Sequence, residues 1–225
     1  MKNTTKLFLL ITFLSTSFFS QAEAKPYFTN IITPNLIDQP LTVGSKEWEK
    51  EIETIVKLQK NPDQKQIDQA LKERSFRPEI ILEPVDSKLN RTLYPQLYKL
   101  LDNASETTGI ACNDIKTYWN IKLPYLEDKN IKTLIPVYDN PSYPSGHASR
   151  SYVIASILEL LIPEKRKQFQ NRVKIITDHQ ILSGMNYPHD IKGGQQLALL
   201  IVSELQKNPE FQKDLRLAKK ELEKY

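Results

Sequence analysis

Leu97, Leu101, Ala104, Thr108, Ala111, Ile115 and Tyr118 recur at alternating steps of four and three, which places them on one face of a long helix ending near Leu123-Pro124. Lys99, Asp102, Glu106 and Asp114 fall on the opposite face, so this helix has one buried and one wet side. Further along, Ser151 to Ile162 (SYVIASILELLI) is apolar on nearly every side, the pattern of a helix in the middle of a bundle. Pro163 stops it, and an amphipathic helix follows from Glu164 to Leu182. Ser183-Gly184 and Pro188 interrupt the chain before an apolar helix from Ile191 to Leu205, and Asn208-Pro209 opens a last, charged helix.

The N-terminal half is less apolar but equally helical in pattern. Glu47 to Gln59 and Gln64 to Arg74 have helix-forming composition, with Asn61-Pro62-Asp63 as break and cap between them. Pro78 and Pro84 predict an irregular crossing. Residues 25–44, with Pro26, Pro34 and Pro40, predict an extended arm lying over the body. There is no long period-2 alternation, no internal repeat and no second-domain linker. The expectation is a single all-α domain, a helical bundle, over residues 25–225.

Before that domain, Lys2 and Lys6 flank a polar start, and Leu7 to Phe19 forms an apolar run well short of the about 20 residues that cross a bilayer. Ala22-Glu23-Ala24 has the small-x-small form of a cleavage site. Residues 1–24 therefore read as a secretory signal peptide: the mature chain is expected to be exported, periplasmic or secreted, with no stable membrane insertion after cleavage. The formal net charge of +4 is too mild to argue for a nucleic-acid partner. With Cys112 as the single cysteine, no internal disulfide can form, so stability has to come from packing. Cys112 itself falls within an apolar helical pattern and is expected to be a buried small hydrophobe. Self-association is left open.

Candidate chemistry centres on Ser142-Tyr-Pro-Ser-Gly-His-Ala-Ser149. Gly146 lets a backbone N–H approach an anion with no Cβ in the way. Ser145 adds a hydroxyl donor, and the entrance to the following helix adds partial positive charge. His147 adds a proton donor near neutral pH.

Pro144-Ser-Gly-His147, preceded by Ser-Tyr and followed by an apolar helix, resembles the central motif of the bacterial class A nonspecific acid phosphatases, in the type 2 phosphatidic acid phosphatase and vanadium haloperoxidase superfamily. PQLYKLLDNASETTGIACNDIKTYW before the motif and QKNPEFQKDLRLAKKELEK at the end are similar to that family too, so the resemblance covers about residues 94–223. It implies the superfamily's helical bundle and a site built from three motifs, K-x6-R-P, P-S-G-H and S-R-x5-H-x3-D. In that pattern the Lys, both Arg, the Ser hydroxyl and the Gly amide bind phosphate oxygens. The last His attacks phosphorus and is oriented by the Asp, while the His of P-S-G-H protonates the leaving alcohol. The implied chemistry is phosphoryl transfer through a phosphohistidine, without metal or other cofactor.

On this template the first motif falls on Lys116-TYWNIK-Leu123-Pro124, with leucine where arginine is expected. The second is intact at Pro144 to His147. The third falls on His179-Gln180-ILSGM-Asn186-YPH-Asp190, so Asp190 matches while His179, Gln180 and Asn186 stand at the Ser, Arg and nucleophilic His positions. Arg77-Pro78 offers another register for the first motif, but position 70 is Ala and the pair lies too far upstream.

A carboxamide cannot replace the nucleophile, because its nitrogen lone pair is delocalised into the carbonyl. Leu123 and Gln180 remove two guanidinium forks that would bind phosphate bidentately. The expectation is an exported acid phosphatase-like protein that keeps a pocket for phosphate or a small phosphomonoester, with hydrolysis lost or much reduced. Its candidate residues are His147, Asn186 and Asp190 at the catalytic positions and Lys116, Ser145, Gly146 and Gln180 at the phosphate-binding ones. The alternative is an active, metal-independent phosphatase with its nucleophile moved to His179 or His189. A haloperoxidase is disfavoured, since vanadate would lack both arginine contacts and its histidine ligand. Lys122 and Arg150 offer replacements for the lost positive charge, but the favoured expectation for each is a solvated surface charge.

Overall fold

A computed structural model of the chain describes residues 23–29, 32–137 and 140–225. The predicted signal peptide lies outside the described residues apart from Glu23 and Ala24. The described residues form helices and no strand. In chain order these are α1 (Lys46–Leu58), α2 (Gln64–Lys72), α3 (Glu79–Val85), α4 (Pro95–Trp119), α5 (Pro124–Glu127), α6 (Gly146–Leu161), α7 (Arg166–Leu182), α8 (Pro188–Lys207) and α9 (Pro209–Leu222). Short polar side chains cap several of them: Ser45 Oγ accepts from Trp48 N at 3.2 Å, Asp63 Oδ1 from Lys65 N at 2.9 Å, and Asn208 Oδ1 from Glu210 N and Phe211 N at 3.0 Å.

The apolar helix α6 occupies the middle, packed on α4, α7 and α8, while α4 also packs on α9. Val153, Ile154, Ile157 and Leu158 of α6 are buried together with Leu97 and Leu101 of α4, Phe169 and Ile176 of α7, Leu197 and Ile201 of α8, and Phe211 of α9. Each such side chain contributes about 1.5–3 kcal/mol of burial free energy, so one connected core holds the bundle without a disulfide. The described residues of the N-terminal arm lie over this body: Lys25 N donates to Asn103 Oδ1 at 2.8 Å, Tyr27 N to Thr107 Oγ1 at 2.9 Å, and Tyr27 Oη to Asp214 Oδ2 at 2.9 Å. Among the described residues no helix is long and apolar enough to cross a membrane.

Several boundaries differ from the sequence expectation, and they matter for the site. Helix α4 ends at Trp119, because Asn120 takes a left-handed conformation (φ 48°) and its N–H returns to Lys116 O at 2.8 Å. Tyr118, expected on the buried face, is therefore 61% exposed in the last turn. The Pro78–Pro84 crossing is helical rather than irregular: Pro78 caps α3, where its missing N–H is not needed, and Pro84 stands one residue from the helix end. Helix α6 begins at Gly146 rather than Ser151, since Ser145 is its N-cap, with Oγ accepting from Ala148 N at 3.3 Å. Helix α8 begins at Pro188 rather than Ile191, with the Asp190 carboxylate accepting from Tyr187 N at 2.7 Å.

Two close approaches and one turn set the pocket's frame. Gly193 and Gly194 bring α8 against the motif: a Cβ at Gly193 would stand 2.6 Å from the Tyr143 ring, and one at Gly194 would stand 2.8 Å from Ala148 Cβ and Ser145 O. Gly184 ends α7 at φ +76°, where a Cβ would lie 2.7 Å from Lys132 O, and this turn folds Asn186 back toward α6.

Candidate functional site

The first turn of α6 opens into a pocket of about 350 Å3 that Lys116, Gly146, His147, Gln180 and Asn186 all line. Leu123, at the expected arginine position just beyond α4, lines it as well. These residues of three separate motifs thus converge on one cavity, but Ser145, expected among the phosphate-binding residues, does not line it: it is wholly buried, with its Oγ held between Ala148 N and Asn186 Oδ1. Asp190 is wholly buried behind the cavity and reaches it through Asn186.

Asn186 is fixed from every side. Its Oδ1 accepts from Ser145 Oγ at 2.9 Å, and its Nδ2 donates to Ser142 O at 2.9 Å and to Asp190 Oδ2 at 3.1 Å. The Ser142 carbonyl can only accept, which sets the orientation of the carboxamide. Both of its N–H bonds are used, so Asn186 ties the cap of α6 to the start of α8. Burial raises the Asp190 pKa above the usual carboxylate value, offset in part by His189, the Tyr187 amide, Asn186 and Lys116.

Lys116, in the last turn of α4, donates to the carbonyls of Pro141 and, at 3.1 Å, Ser142, which leaves one of its ammonium donors for the pocket. Burial holds its pKa below the ordinary lysine value. Gln180 is buried on α7, and its Nε2 has no hydrogen-bond partner among the described residues. The amides of Gly146 and His147, first in α6, are donors that an α-helix leaves without intrahelical acceptors.

His147 bonds through Nε2 to the Glu73 carbonyl at 2.9 Å, so Nε2 carries a proton. Its ring meets Phe76 edge-on, with centroids 5.8 Å apart. Burial pushes its pKa down to about 4, with Arg150 and Lys116 adding to the effect against the pull of the Glu73 carbonyl. The unfolded chain takes up this proton near pH 6.5 and the folded chain only near 4. His147 therefore leaves stability intact above about pH 6.5, lowers it as the pH falls from there to about 4, and has no further effect below. The difference in urea midpoint between wild type and His147→Gln should change across that interval and be flat on either side of it. A difference that does not vary between pH 7 and 4 contradicts the assignment.

The other two histidines are engaged elsewhere, and neither lines the pocket. His179 Nδ1 donates to Glu73 Oε2 at 2.7 Å inside a buried cluster in which Glu73 Oε1 accepts from Arg172. His189 Nδ1 donates to Glu51 Oε2 at 2.6 Å, and its ring stacks on Tyr143 and Tyr187. Lys122 is a surface charge as expected, 3.2 Å from Glu127. Arg150 is not: it is half-buried and lines the pocket, because the early start of α6 puts it one turn from Gly146. Glu73, Arg74 and Phe76, from the end of α2 and the segment after it, also reach the site, and nothing in their local sequence signalled it.

No family model matches the chain. Among curated proteins it is 31% identical over 134 residues to an acid phosphatase of Zymomonas mobilis, covering 58% of this chain and 51% of that one. It is 30% identical over 135 residues to a non-specific acid phosphatase of Providencia stuartii, with 58% and 54% covered, and 27% identical over 144 residues to one of Salmonella typhi, with 61% and 57% covered. The chain thus spans about half the length of the curated relatives it matches. Among solved structures, a bacterial vanadium-dependent iodoperoxidase superposes with a TM-score of 0.58 at 14% identity, over 80% of this chain and 52% of that one. A transmembrane phosphatidylglycerolphosphate phosphatase from Bacillus subtilis superposes with a TM-score of 0.52 at 15% identity, over 75% and 89%. The chain is therefore similar in sequence to the bacterial nonspecific acid phosphatases and has the all-α fold of the type 2 phosphatidic acid phosphatase and vanadium haloperoxidase superfamily.

Proposed function

We propose that this chain is an exported acid phosphatase-like protein that binds phosphate or a small phosphomonoester and hydrolyses it slowly or not at all. The observation that carries the reading is Asn186. In the motif register it stands where a phosphatase of this kind needs its nucleophile, it has no available lone pair on nitrogen, and both its N–H bonds are committed to Ser142 and Asp190. His179 and His189 are bound to Glu73 and Glu51, which speaks against a relocated nucleophile. Binding is supported by what remains. The Lys116 ammonium, the Gly146 amide and the Gln180 carboxamide, all lining the pocket, give an anion several converging donors at a helix N-terminus. Export rests on the apolar run from Leu7 to Phe19 and the Ala22-Glu23-Ala24 site.

Protein beginning at Lys25 should bind inorganic phosphate by titration calorimetry while turning over an aryl phosphate at least about 10³-fold below the 1–10³ s⁻¹ of ordinary enzymes. Turnover within that ordinary range, abolished by His147→Ala, overturns the proposal.

A further inference from the structure

Both positions where the acid phosphatase pattern carries arginine, Leu123 and Gln180, border the pocket here, so any guanidinium for an anion comes from another part of the chain; Arg74 also lines the pocket but donates to the carbonyls of Pro136 and Val137. Arg150 supplies one. Its side chain leaves the first turns of α6 and runs across Gly109 of α4, where a Cβ would stand 2.1 Å from Nη2 and 3.0 Å from Cζ. Its Nη1 lies 3.4 Å from where a Cβ of Gly146 would be, beside the amide end of the helix. Nε donates to Ser105 O at 3.2 Å, and the guanidinium carbon is 6.0 Å from the centre of the Phe76 ring. Among the described residues, no carboxylate lies within 4.0 Å of this guanidinium and its Nη donors have no partner.

A half-buried, unpaired guanidinium is costly unless something of opposite charge visits it. The same pocket holds the Lys116 ammonium with a donor to spare and the buried Gln180 Nε2 with no partner, so three unsatisfied donor groups from α4, α6 and α7 border one cavity. Glycine inside a helix as long as α4 is a poor helix former, and the passage of Arg150 gives Gly109 a reason to be there.

We infer that Arg150 is the anion-binding arginine of this pocket, gripping the phosphoryl group in place of the guanidiniums absent at positions 123 and 180, with Gly109 as the gap in α4 that admits it. The inference rests on the phosphate-binding reading above. A planar fork anchored at Nε presents two Nη donors in the geometry that matches two phosphoryl oxygens.

Calorimetric titration of inorganic phosphate into wild type, Arg150→Gln, Arg150→Lys and Gly109→Ala, with thermal midpoints measured alongside, tests it. Arg150→Gln should weaken binding about tenfold or more, and Arg150→Lys, a point charge without the fork, should fall between that and wild type. Gly109→Ala should keep or raise the thermal midpoint, since alanine favours the helix, and yet weaken binding several-fold by displacing the guanidinium. This variant carries the test even where Arg150→Gln fails to fold. Equal phosphate affinity in wild type and Gly109→Ala or Arg150→Gln overturns the role of Arg150 and leaves the pocket reading standing. Folded wild type that binds no phosphate overturns both.

Discussion

Leu123→Arg, Gln180→Arg and Asn186→His, introduced together, should raise aryl phosphate hydrolysis by about 10³-fold or more over wild type, because they return a nucleophile and two charged forks at once. The surroundings are already in place. Asp190 Oδ2 is 3.1 Å from Asn186 Nδ2, so an imidazole at position 186 meets a carboxylate able to hold its Nδ1–H and leave Nε2 facing the pocket. Gln180 and Leu123 both line the pocket with His147, whose pKa of about 4 confines any protonation of a leaving group to acid pH rather than the neutral pH expected from sequence. Asn186→His alone should give only part of the gain, since residues that act as a unit are not additive. Two new guanidiniums close to Lys116 and Arg150 should also lower stability without phosphate and make added phosphate stabilise the variant more than wild type. Turnover and acid-labile phosphohistidine at position 186 are the readouts. A triple variant that folds and stays inert means that the third motif has been placed in the wrong register.

The second large effect lies behind the pocket. Glu73→Ala should destabilise the fold by about 3–5 kcal/mol, because it leaves Arg172 as a buried charge without its partner. Glu73 is wholly buried, and its carboxylate accepts from Arg172, from His179 Nδ1 at 2.7 Å and from Gln69 Nε2 at 3.0 Å. Burial alone would raise its pKa, but His179, Arg172 and Gln69 outweigh that and hold it below the usual glutamate value. The stability it adds is therefore complete above its unfolded pKa, near 4.5, and is lost as the pH falls through its folded one. Glu73→Leu combined with Arg172→Met should recover much of the loss, since an apolar pair of similar size avoids the cost of dehydrating two charges. Urea denaturation measures both. A loss under about 1 kcal/mol for Glu73→Ala would show that water already reaches Arg172.

The bundle was legible in the sequence because amphipathic periodicity is a local property. Leu97, Leu101, Ala104, Thr108, Ala111 and Ile115 are all buried on α4, and the uniformly apolar helix is central. Tyr118 failed because periodicity carries no stop signal, and the left-handed Asn120 ends the helix first. The grouping of Lys116, Gly146, His147, Gln180 and Asn186 is implied by the resemblance to the acid phosphatase motifs, and all five line the pocket. Arg150 differs for a smaller reason: apolar patterning alone starts the helix at Ser151, whereas the N-cap Ser145 starts it at Gly146 and puts Arg150 on the pocket side. The His147 bond to the Glu73 carbonyl links residues 74 positions apart through a backbone atom, and no side-chain pattern encodes such a contact.

The narrowest tolerance around this pocket is set by atoms that are missing. Where α8 crosses the motif, Gly193 and Gly194 leave no room for even a methyl group against Tyr143, Ala148 and Ser145. Asn186 and Asp190 both stand at the start of that helix, so the reach of Ser145 Oγ to Asn186 Oδ1, 2.9 Å, and of Ser145 N to Asp190 O, 3.0 Å, is governed by how closely the two backbones approach. A mutational survey confined to side chains bordering the cavity would overlook the pair. Drift in such a protein can retune or silence the site from the far side of a helix, with every pocket residue still in place.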